Sequence, residues 1–214
     1  MCNLSTVRKS AAEVAAYFSV APPDIAAFNA AEETYPGYPG MVIREVEGRR
    51  RLETMIWGFP YRPPTMKPES KPQKVNNARG DKLNTSFWRD SFAKRRCLIP
   101  LTGWAEAEGP KGQMTRTWCS IEGTDIFAVG GIWRDTAEWG QAYSMVMVEA
   151  SPQMLSVHTR MPVLLRPDEY DQWMHGLPEE AFGLVRTSHA DLRFDRTPEP
   201  WTKRSTANAT ATLL

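Results

Sequence analysis

The middle of the chain consists of short apolar segments separated by glycine-containing turns, and this pattern constrains the fold more than any other feature. Three segments carry it between residues 96 and 150: RCLIPLTGWAEAEG, TWCSIEGTDIFAVGGIW and AYSMVMVEA. Runs of this length, bounded by turn residues, are typical of β-strands. Upstream, two alternating runs at 41–46 and 52–57 flank Glu47 and Gly48, which indicates a β-hairpin.

Helices are predicted around this strand-rich middle. SAAEVAAYF at 10–18 has a capping serine and a glutamate three residues later. Helical spacing also occurs in TSFWRDSFAKR at 85–95 and in RPDEYDQWMHG at 166–176, and SPQMLSVH at 151–158 suits one helical turn. RMPVLL at 160–165 is expected to form a further strand, and the proline-rich stretch 60–81 an irregular surface loop. The order of elements predicts an α+β domain on antiparallel sheet.

Composition is ordinary for one globular domain. The 214 residues are 42% hydrophobic and 24% charged, and no apolar run approaches the roughly 20 residues that cross a bilayer. Residues 2–30 lack the apolar segment of a signal peptide. The cysteines at positions 2, 97 and 119 are an odd number without metal-ligand spacing. We therefore expect a cytoplasmic protein, with no membrane partner, no metal and no other cofactor.

Charge is distributed unevenly along the chain. Residues 41–100 hold 14 Lys and Arg against 6 Asp and Glu, a net charge of +8, whereas residues 101–214 hold 10 against 15, a net charge of −5. A polyanion would be expected to meet the basic segment. The alternative is a solvated basic face without a partner.

Cys2 directly follows Met1, and a small residue at this position favours removal of the methionine. Cys2 would then carry a free α-amine beside its thiol. An α-amine has a pKa of about 7.7–8.0, so an appreciable fraction is neutral and nucleophilic near pH 7. It can condense with an aldehyde to an imine, and closure through the thiol gives a five-membered thiazolidine. From position alone, chance remains the alternative.

Further polar residues lie in apolar or glycine-punctuated surroundings. Asn77 precedes Arg79, whose guanidinium suits a phosphate. Burial of Glu106 between two alanines would raise its pKa and suit it to general acid catalysis. His158 precedes a strand, with Arg160 two positions on, and imidazole is the usual proton carrier near neutral pH. The structural alternatives are a turn asparagine, a solvated glutamate and a histidine bonded to backbone.

These segments occur in one order that matches a known family. The chain resembles the SOS-response-associated peptidase (SRAP) family, whose members process abasic sites, over approximately residues 2–200. The segments that carry the resemblance are Met1-Cys2, WGF at 57–59, NAR at 77–79, CLIPLTGWAE at 97–106 and HTRMPVLL at 158–165. It implies one domain over 2–205 with an antiparallel, barrel-like sheet and peripheral helices. The tail at 206–214 has no periodicity and few large apolar residues, so we expect it to be loosely ordered.

The resemblance also implies a function. The protein would sense abasic sites in single-stranded DNA, as a monomer associated with the nucleoid, and become covalently attached through a Cys2 thiazolidine by a lyase-type reaction. Glu106 would assist sugar ring opening, His158 would relay protons, and Asn77 would hold the reacting terminus or the sugar. The DNA contacts implied are Arg79 and Arg160 on phosphates, with Trp57, Gly58 and Phe59 as a base-stacking surface.

The chain departs from the family pattern at several positions. The family usually continues Met-Cys-Gly-Arg, whereas this chain has Asn3 and Leu4; Ala107 replaces an aromatic residue, and Glu149 replaces a hydroxyl residue. Two other functions are open. One is a thiol (auto)peptidase that uses Cys2 with the histidine and glutamate, and the other is a non-catalytic module that binds single-stranded DNA.

Overall fold

The computed structural model describes residues 2–21, 30–67 and 69–202, and strands dominate them. The strands are β1 (Leu4–Thr6), β2 (Glu33–Thr34), β3 (Pro39–Val46), β4 (Arg49–Trp57), β5 (Phe59–Tyr61), β6 (Gln73–Val75), β7 (Asn77–Arg79), β8 (Arg96–Leu101), β9 (Gly103–Glu108), β10 (Thr115–Ile121), β11 (Phe127–Thr136), β12 (Gly140–Glu149), β13 (Arg160–Pro162), β14 (Leu164–Leu165) and β15 (Leu192–Pro200). The α-helices are α1 (Ala11–Tyr17), α2 (Arg89–Lys94), α3 (Tyr170–His175) and α4 (Pro178–Phe182), with 3₁₀ turns at Gly80–Lys82, Met154–Ser156 and Pro167–Glu169. The tail predicted at 206–214 lies outside the described residues.

Five strands close into a barrel at the centre of the molecule. The hydrogen-bonded ring runs β12–β4–β3–β8–β11 and returns to β12. All of these pairings are antiparallel except that of β12 with β4. Helix α3 packs against the barrel so closely that a Cβ on Gly130 would lie 2.7 Å from the Trp173 ring. The predicted single α+β domain, built on an antiparallel, barrel-like sheet with peripheral helices, is confirmed.

A second sheet lies outside the barrel and carries the N-terminus. Its strand order is β15–β10–β9–β1–β2, and every pairing is antiparallel. In the register of β1 with β9, Leu4 is opposite Ala105. The residues just before β1 therefore lie beside the second half of β9, which contains Glu106.

Local sequence signals at two turns are confirmed. Helix α1 begins with a capping box, in which the Ser10 hydroxyl accepts from the Glu13 amide and the Glu13 carboxylate accepts from the Ser10 amide. The β3–β4 hairpin turns at Glu47 and Gly48, which have φ of 53° and 72°. Two consecutive residues with positive φ match the twist of a tight hairpin, and the glycine adopts this conformation without steric cost.

Several predicted boundaries are wrong. The helix expected at 85–95 is confined to α2, and the expected irregular loop at 60–81 contains β5, β6 and β7. The strand expected at 160–165 is broken at Val163, because the chain there moves from β12 to β11. Val163 bonds to both neighbours through its amide and its carbonyl. Within the described ranges, no helix has the length and apolar character needed to span a membrane.

Candidate functional site

The backbone of Cys2 is held by two neighbouring asparagines. The Asn77 side-chain amide donates to the Cys2 carbonyl oxygen at 2.7 Å, and that of Asn76 donates to the same oxygen at 2.9 Å. Asn76 also donates to the Asn3 side-chain oxygen at 3.0 Å. A carbonyl bonded twice has a fixed position, so the atoms of Cys2 are oriented before any ligand arrives. We call Cys2, Asn76, Asn77 and Glu106 the Cys2 pocket.

The pocket suppresses charge on its titratable groups. Cys2 and Glu106 are 0% and 1% exposed. Burial raises the pKa of the Glu106 carboxyl to about 7. Burial also raises the pKa of the Cys2 thiol well above its ordinary value, and the neighbouring Glu106 carboxylate raises it further. At neutral pH the thiol is therefore protonated, and the pKa of Glu106 lies close to the pH.

His158 lies just before β13, and the backbone of Arg160 holds its ring. Nδ1 lies 2.9 Å from the Arg160 amide nitrogen, which can donate to it, and 3.2 Å from the Arg160 carbonyl oxygen, to which a protonated Nδ1 can donate. Burial lowers the pKa of this half-buried imidazole. His158 is therefore mainly neutral near pH 7 and able to accept a proton. Its position relative to the asparagines is set by β12, which pairs with β7 at Met145 and with β13 at Glu149.

The two arginines expected to contact phosphates lie together, in contact with carboxylates. Arg79 binds Asp81 through two hydrogen bonds of 3.0 and 2.7 Å. Arg160 lies 3.0 Å from the Glu149 carboxylate and 4.0 Å from that of Asp81. We call these four residues the charged ledge. Here Asp81 raises the pKa of Arg79, and Arg79 lowers the pKa of Asp81, so both groups stay ionised.

The structure does not place Trp57, Gly58 and Phe59 on a stacking surface. Both aromatic side chains are 0% exposed, because Trp57 ends a barrel strand and stacks on Tyr143 with ring centroids 6.2 Å apart. Phe59 lies under the Arg134 guanidinium, whose carbon is 3.9 Å from the ring centroid. No face of either ring is open to a base, so the stacking role implied for this segment is wrong.

The segment of Trp57, Gly58 and Phe59 instead contacts the Cys2 pocket through Asn76. The Trp57 indole Nε1 donates to the Asn76 carbonyl oxygen at 3.0 Å, and Asn76 in turn holds Cys2. Gly58 has a φ of 112°, which only glycine adopts readily, and its amide donates to the Tyr143 carbonyl at 2.7 Å. The tight turn after Trp57 thus helps to fix the position of Asn76, which hydrogen-bonds to Cys2.

Sequence reasoning missed Asn76. Its contact with Cys2 is as direct as that of Asn77, and the signal was present in the Asn-Asn pair. Alternate residues of a strand face opposite sides, which argues against two neighbours sharing one partner. Asn76 escapes that rule because it lies between β6 and β7, outside both strands.

A family model described as SOS response associated peptidase (SRAP) matches residues 1–196. The chain belongs to this family. Among similar proteins, abasic site processing protein YoqW of Bacillus subtilis is 27% identical over 132 residues, covering 58% of this chain and 58% of the relative. YobE of the same organism, also named an abasic site processing protein, is 27% identical over 132 residues and is covered to 59%. The chain thus matches somewhat over half the length of these relatives.

Solved structures share this fold over a longer span of the chain. A Bordetella bronchiseptica protein superposes with a TM-score of 0.76 at 22% identity, covering 92% of this chain and 99% of that one. A Bacteroides thetaiotaomicron protein also gives a TM-score of 0.76, at 18% identity with 91% of each chain covered. At these identities the likeness establishes the architecture.

Proposed function

We propose that this SRAP chain captures abasic sites in single-stranded DNA through a covalent thiazolidine at Cys2, once Met1 has been removed. The observation that carries the proposal is the double hydrogen bond from Asn76 and Asn77 to the Cys2 carbonyl, which orients the residue beside the buried Glu106. The Bacillus relatives are named abasic site processing proteins, and these names support an abasic site as the substrate.

The covalent step needs no external oxidant or reductant. An abasic deoxyribose opens when its C1′ hydroxyl loses a proton and its ring oxygen gains one, giving the C1′ aldehyde. The neutral Cys2 amine attacks this carbon, and loss of one water gives an imine. The thiol sulfur then adds to the imine carbon while its proton passes to the nitrogen. The product is a thiazolidine, and the net loss is one water.

Glu106 and His158 have suitable proton affinities for this sequence. A carboxyl with a pKa of about 7 is near half-protonated at neutral pH, so it both donates and accepts protons. In the proposed mechanism it protonates the sugar ring oxygen, takes up the proton of the C1′ hydroxyl, and later passes the thiol proton to the nitrogen. The neutral His158 ring, whose pKa is lowered, takes the proton released from the amine and gives it to the hydroxyl that leaves as water. Each role follows from burial, which destabilises the charged form of the group.

DNA is held in this proposal at the charged ledge. Arg79 and Arg160 are close enough to share Asp81, so two adjacent phosphates of one strand would meet both guanidinium groups. The phosphates must compete with Asp81 and Glu149 for these arginines. Affinity for DNA should therefore be moderate and sensitive to salt.

A thiol peptidase is disfavoured by the state of Cys2. Catalytic cysteines act as thiolates and usually have a lowered pKa. Burial and Glu106 have the opposite effect on Cys2. Thiazolidine formation instead uses the amine as first nucleophile and needs the thiol only at the second step.

The test is the intact mass of the purified protein, alone and after incubation with a single-stranded oligonucleotide that contains one abasic site. We expect loss of Met1 and a denaturation-resistant adduct of protein plus DNA minus one water. Cys2→Ala should form no stable adduct, whereas Cys97→Ala, which alters another fully buried cysteine, should react like the wild type. An unchanged wild-type mass would contradict the proposal and favour a non-catalytic binding module.

A further inference from the structure

A cleft of about 740 Å³ opens beside the Cys2 pocket. Its volume lies within the roughly 300–1,000 Å³ typical of small-molecule sites. Asn3 and Leu4, the two residues that follow Cys2, form part of its wall. In the register of the second sheet, Leu4 is opposite Ala105 and Arg116 is opposite Ala107, so the cleft lies on the face opposite the neighbouring Glu106. A DNA strand that reacts at Cys2 would place a base in this cleft by passing the N-terminal end of β1.

Three aromatic residues line the cleft, namely Tyr35, Tyr38 and Trp201. Tyr35 and Trp201 pack against a small buried cluster that includes Leu4, and this packing fixes their positions. Tyr38 is 62% exposed, which is unusual for a large aromatic side chain. Aromatic faces next to a DNA-reactive residue suit unpaired bases, since every base has a face that stacks.

The polar side of the cleft is a carboxylate held by a buried arginine. The Arg116 side chain is 5% exposed and contacts Glu33 at 3.4 Å and Glu199 at 3.1 Å. Arg116 also donates to the Tyr35 hydroxyl at 3.1 Å, and Tyr35 donates to Glu33 at 2.8 Å. One cation thus orders two carboxylates. The Glu33 carboxylate, 36% exposed, faces solvent in a fixed orientation.

This charge balance selects a neutral ligand with hydrogen-bond donors. Two carboxylates against one guanidinium leave a net negative charge, which disfavours a phosphate. A carboxylate accepts hydrogen bonds, so it favours the amino group of a base and is repelled by a carbonyl oxygen in the same place. Cytosine and thymine differ in this respect, because cytosine presents an amino group where thymine presents O4.

Building on the proposed function, we propose that the cleft binds the unpaired base of a nucleotide flanking the abasic site, stacked on Tyr38 and bonded through its amino group to Glu33. The reacting sugar would then be positioned by a base on one side and by phosphates on the charged ledge. Cytosine would be preferred to thymine at this flanking position.

The experiment measures binding without covalent capture. Fluorescence anisotropy gives the Kd of the full chain for single-stranded oligonucleotides. Each oligonucleotide contains one tetrahydrofuran site, which has no aldehyde. The nucleotide on one side of this site, 5′ or 3′, is C, T or a second tetrahydrofuran. We expect about tenfold tighter binding with C than with T on one side. Glu33→Gln should remove this preference, because an amide offers both a donor and an acceptor.

Tyr38→Ala should weaken binding of base-flanked oligonucleotides by roughly tenfold and leave the doubly abasic one unchanged. Tyr17→Ala is the matched control, since Tyr17 is 48% exposed and is not part of the cleft wall. Equal affinities for C and T, or a preference that survives Glu33→Gln, would overturn the inference.

The outcomes separate this inference from the proposed function. Crosslinking to a true abasic site without any C/T discrimination overturns the base cleft and leaves Cys2 capture standing. Discrimination in the binding assay with no adduct in the mass assay supports the cleft and overturns covalent capture.

Discussion

The Cys2 pocket and the charged ledge treat charge in opposite ways. In the pocket, burial raises the pKa of the Glu106 carboxyl and of the Cys2 thiol, so both tend to be neutral. On the ledge, Arg79 and Asp81 lie in water and stabilise each other's charged forms. The pocket is thus suited to proton transfer and the ledge to reversible ionic contact. In the proposed function, chemistry and affinity are therefore located in separate regions, so variants should change them independently.

The largest effect is expected from removing the proton of Glu106. Glu106→Gln keeps the shape of the side chain and abolishes its titration near neutral pH. The rate of adduct formation at saturating DNA should fall by roughly 10²–10⁴-fold, the usual contribution of a general acid or base. The wild-type rate should vary between about pH 6 and 8 because the pKa of Glu106 is about 7. Quenched time courses across this range check both expectations.

Binding provides the control for that variant. The Kd of Glu106→Gln for an oligonucleotide with a tetrahydrofuran site should equal that of the wild type, since the ledge is unaltered. A loss of rate that came entirely from weaker binding would contradict the separation of the two regions.

The second effect concerns stability. The pKa of Glu106 rises from an ordinary value near 4.5 to about 7 in the folded protein. The folded state therefore binds the proton more tightly than the unfolded state does, and this stabilisation is lost as the pH rises from about 4.5 through 7. A shift of this size corresponds to roughly 3 kcal/mol at most. Thermal unfolding should show the wild type losing several degrees relative to Glu106→Gln between pH 5 and pH 8. A constant difference in Tm over this range would show that Glu106 is charged in the folded protein.

The smallest effect should come from the ledge. Glu149→Gln removes the carboxylate that binds Arg160 at 3.0 Å, so the guanidinium becomes available to phosphate. Because surface ion pairs contribute about 0–1 kcal/mol, we expect the Kd for single-stranded DNA to fall by about two- to fivefold. The adduct rate at saturating DNA should stay unchanged.

Asp168→Asn is the matched control for the ledge variant. The Asp168 side chain is 69% exposed and paired with Arg166, and the Glu149 side chain is similarly exposed, at 74%. It should leave DNA affinity unaltered. Equal effects of the two variants would mean that only net charge matters and that the ledge is not a specific contact.

Much of the fold could be predicted because the signals are local. The Glu47-Gly48 turn and the Ser10 capping box depend on neighbouring residues alone, and both are present. The break at Val163 could not be predicted, since it arises where one segment leaves β12 for β11. The same holds for β15, which is stabilised by pairing with the distant β10.

Some residues of the site could be predicted from local motifs, whereas the roles that depend on distant parts of the chain could not. Asn77 could be singled out by its motif, and in the structure its side-chain amide donates to the Cys2 carbonyl oxygen. The motif at Trp57 was recognised, but its role could not be read from sequence. An aromatic residue in a short motif suits both a surface and a core, and only closure of the barrel buries this one. The cleft at Arg116 was not predicted, because its residues come from four separate parts of the chain.

The most direct measurement counts free thiols in the adduct. The chain has three cysteines, all reduced and buried in the folded protein. After reaction with abasic single-stranded DNA, denaturation and alkylation, a thiazolidine leaves only Cys97 and Cys119 to be labelled. The account predicts two labels on the adduct and three on the unreacted protein. Three labels on the adduct would show that the Cys2 sulfur is not bonded to the sugar, and would contradict the proposed chemistry.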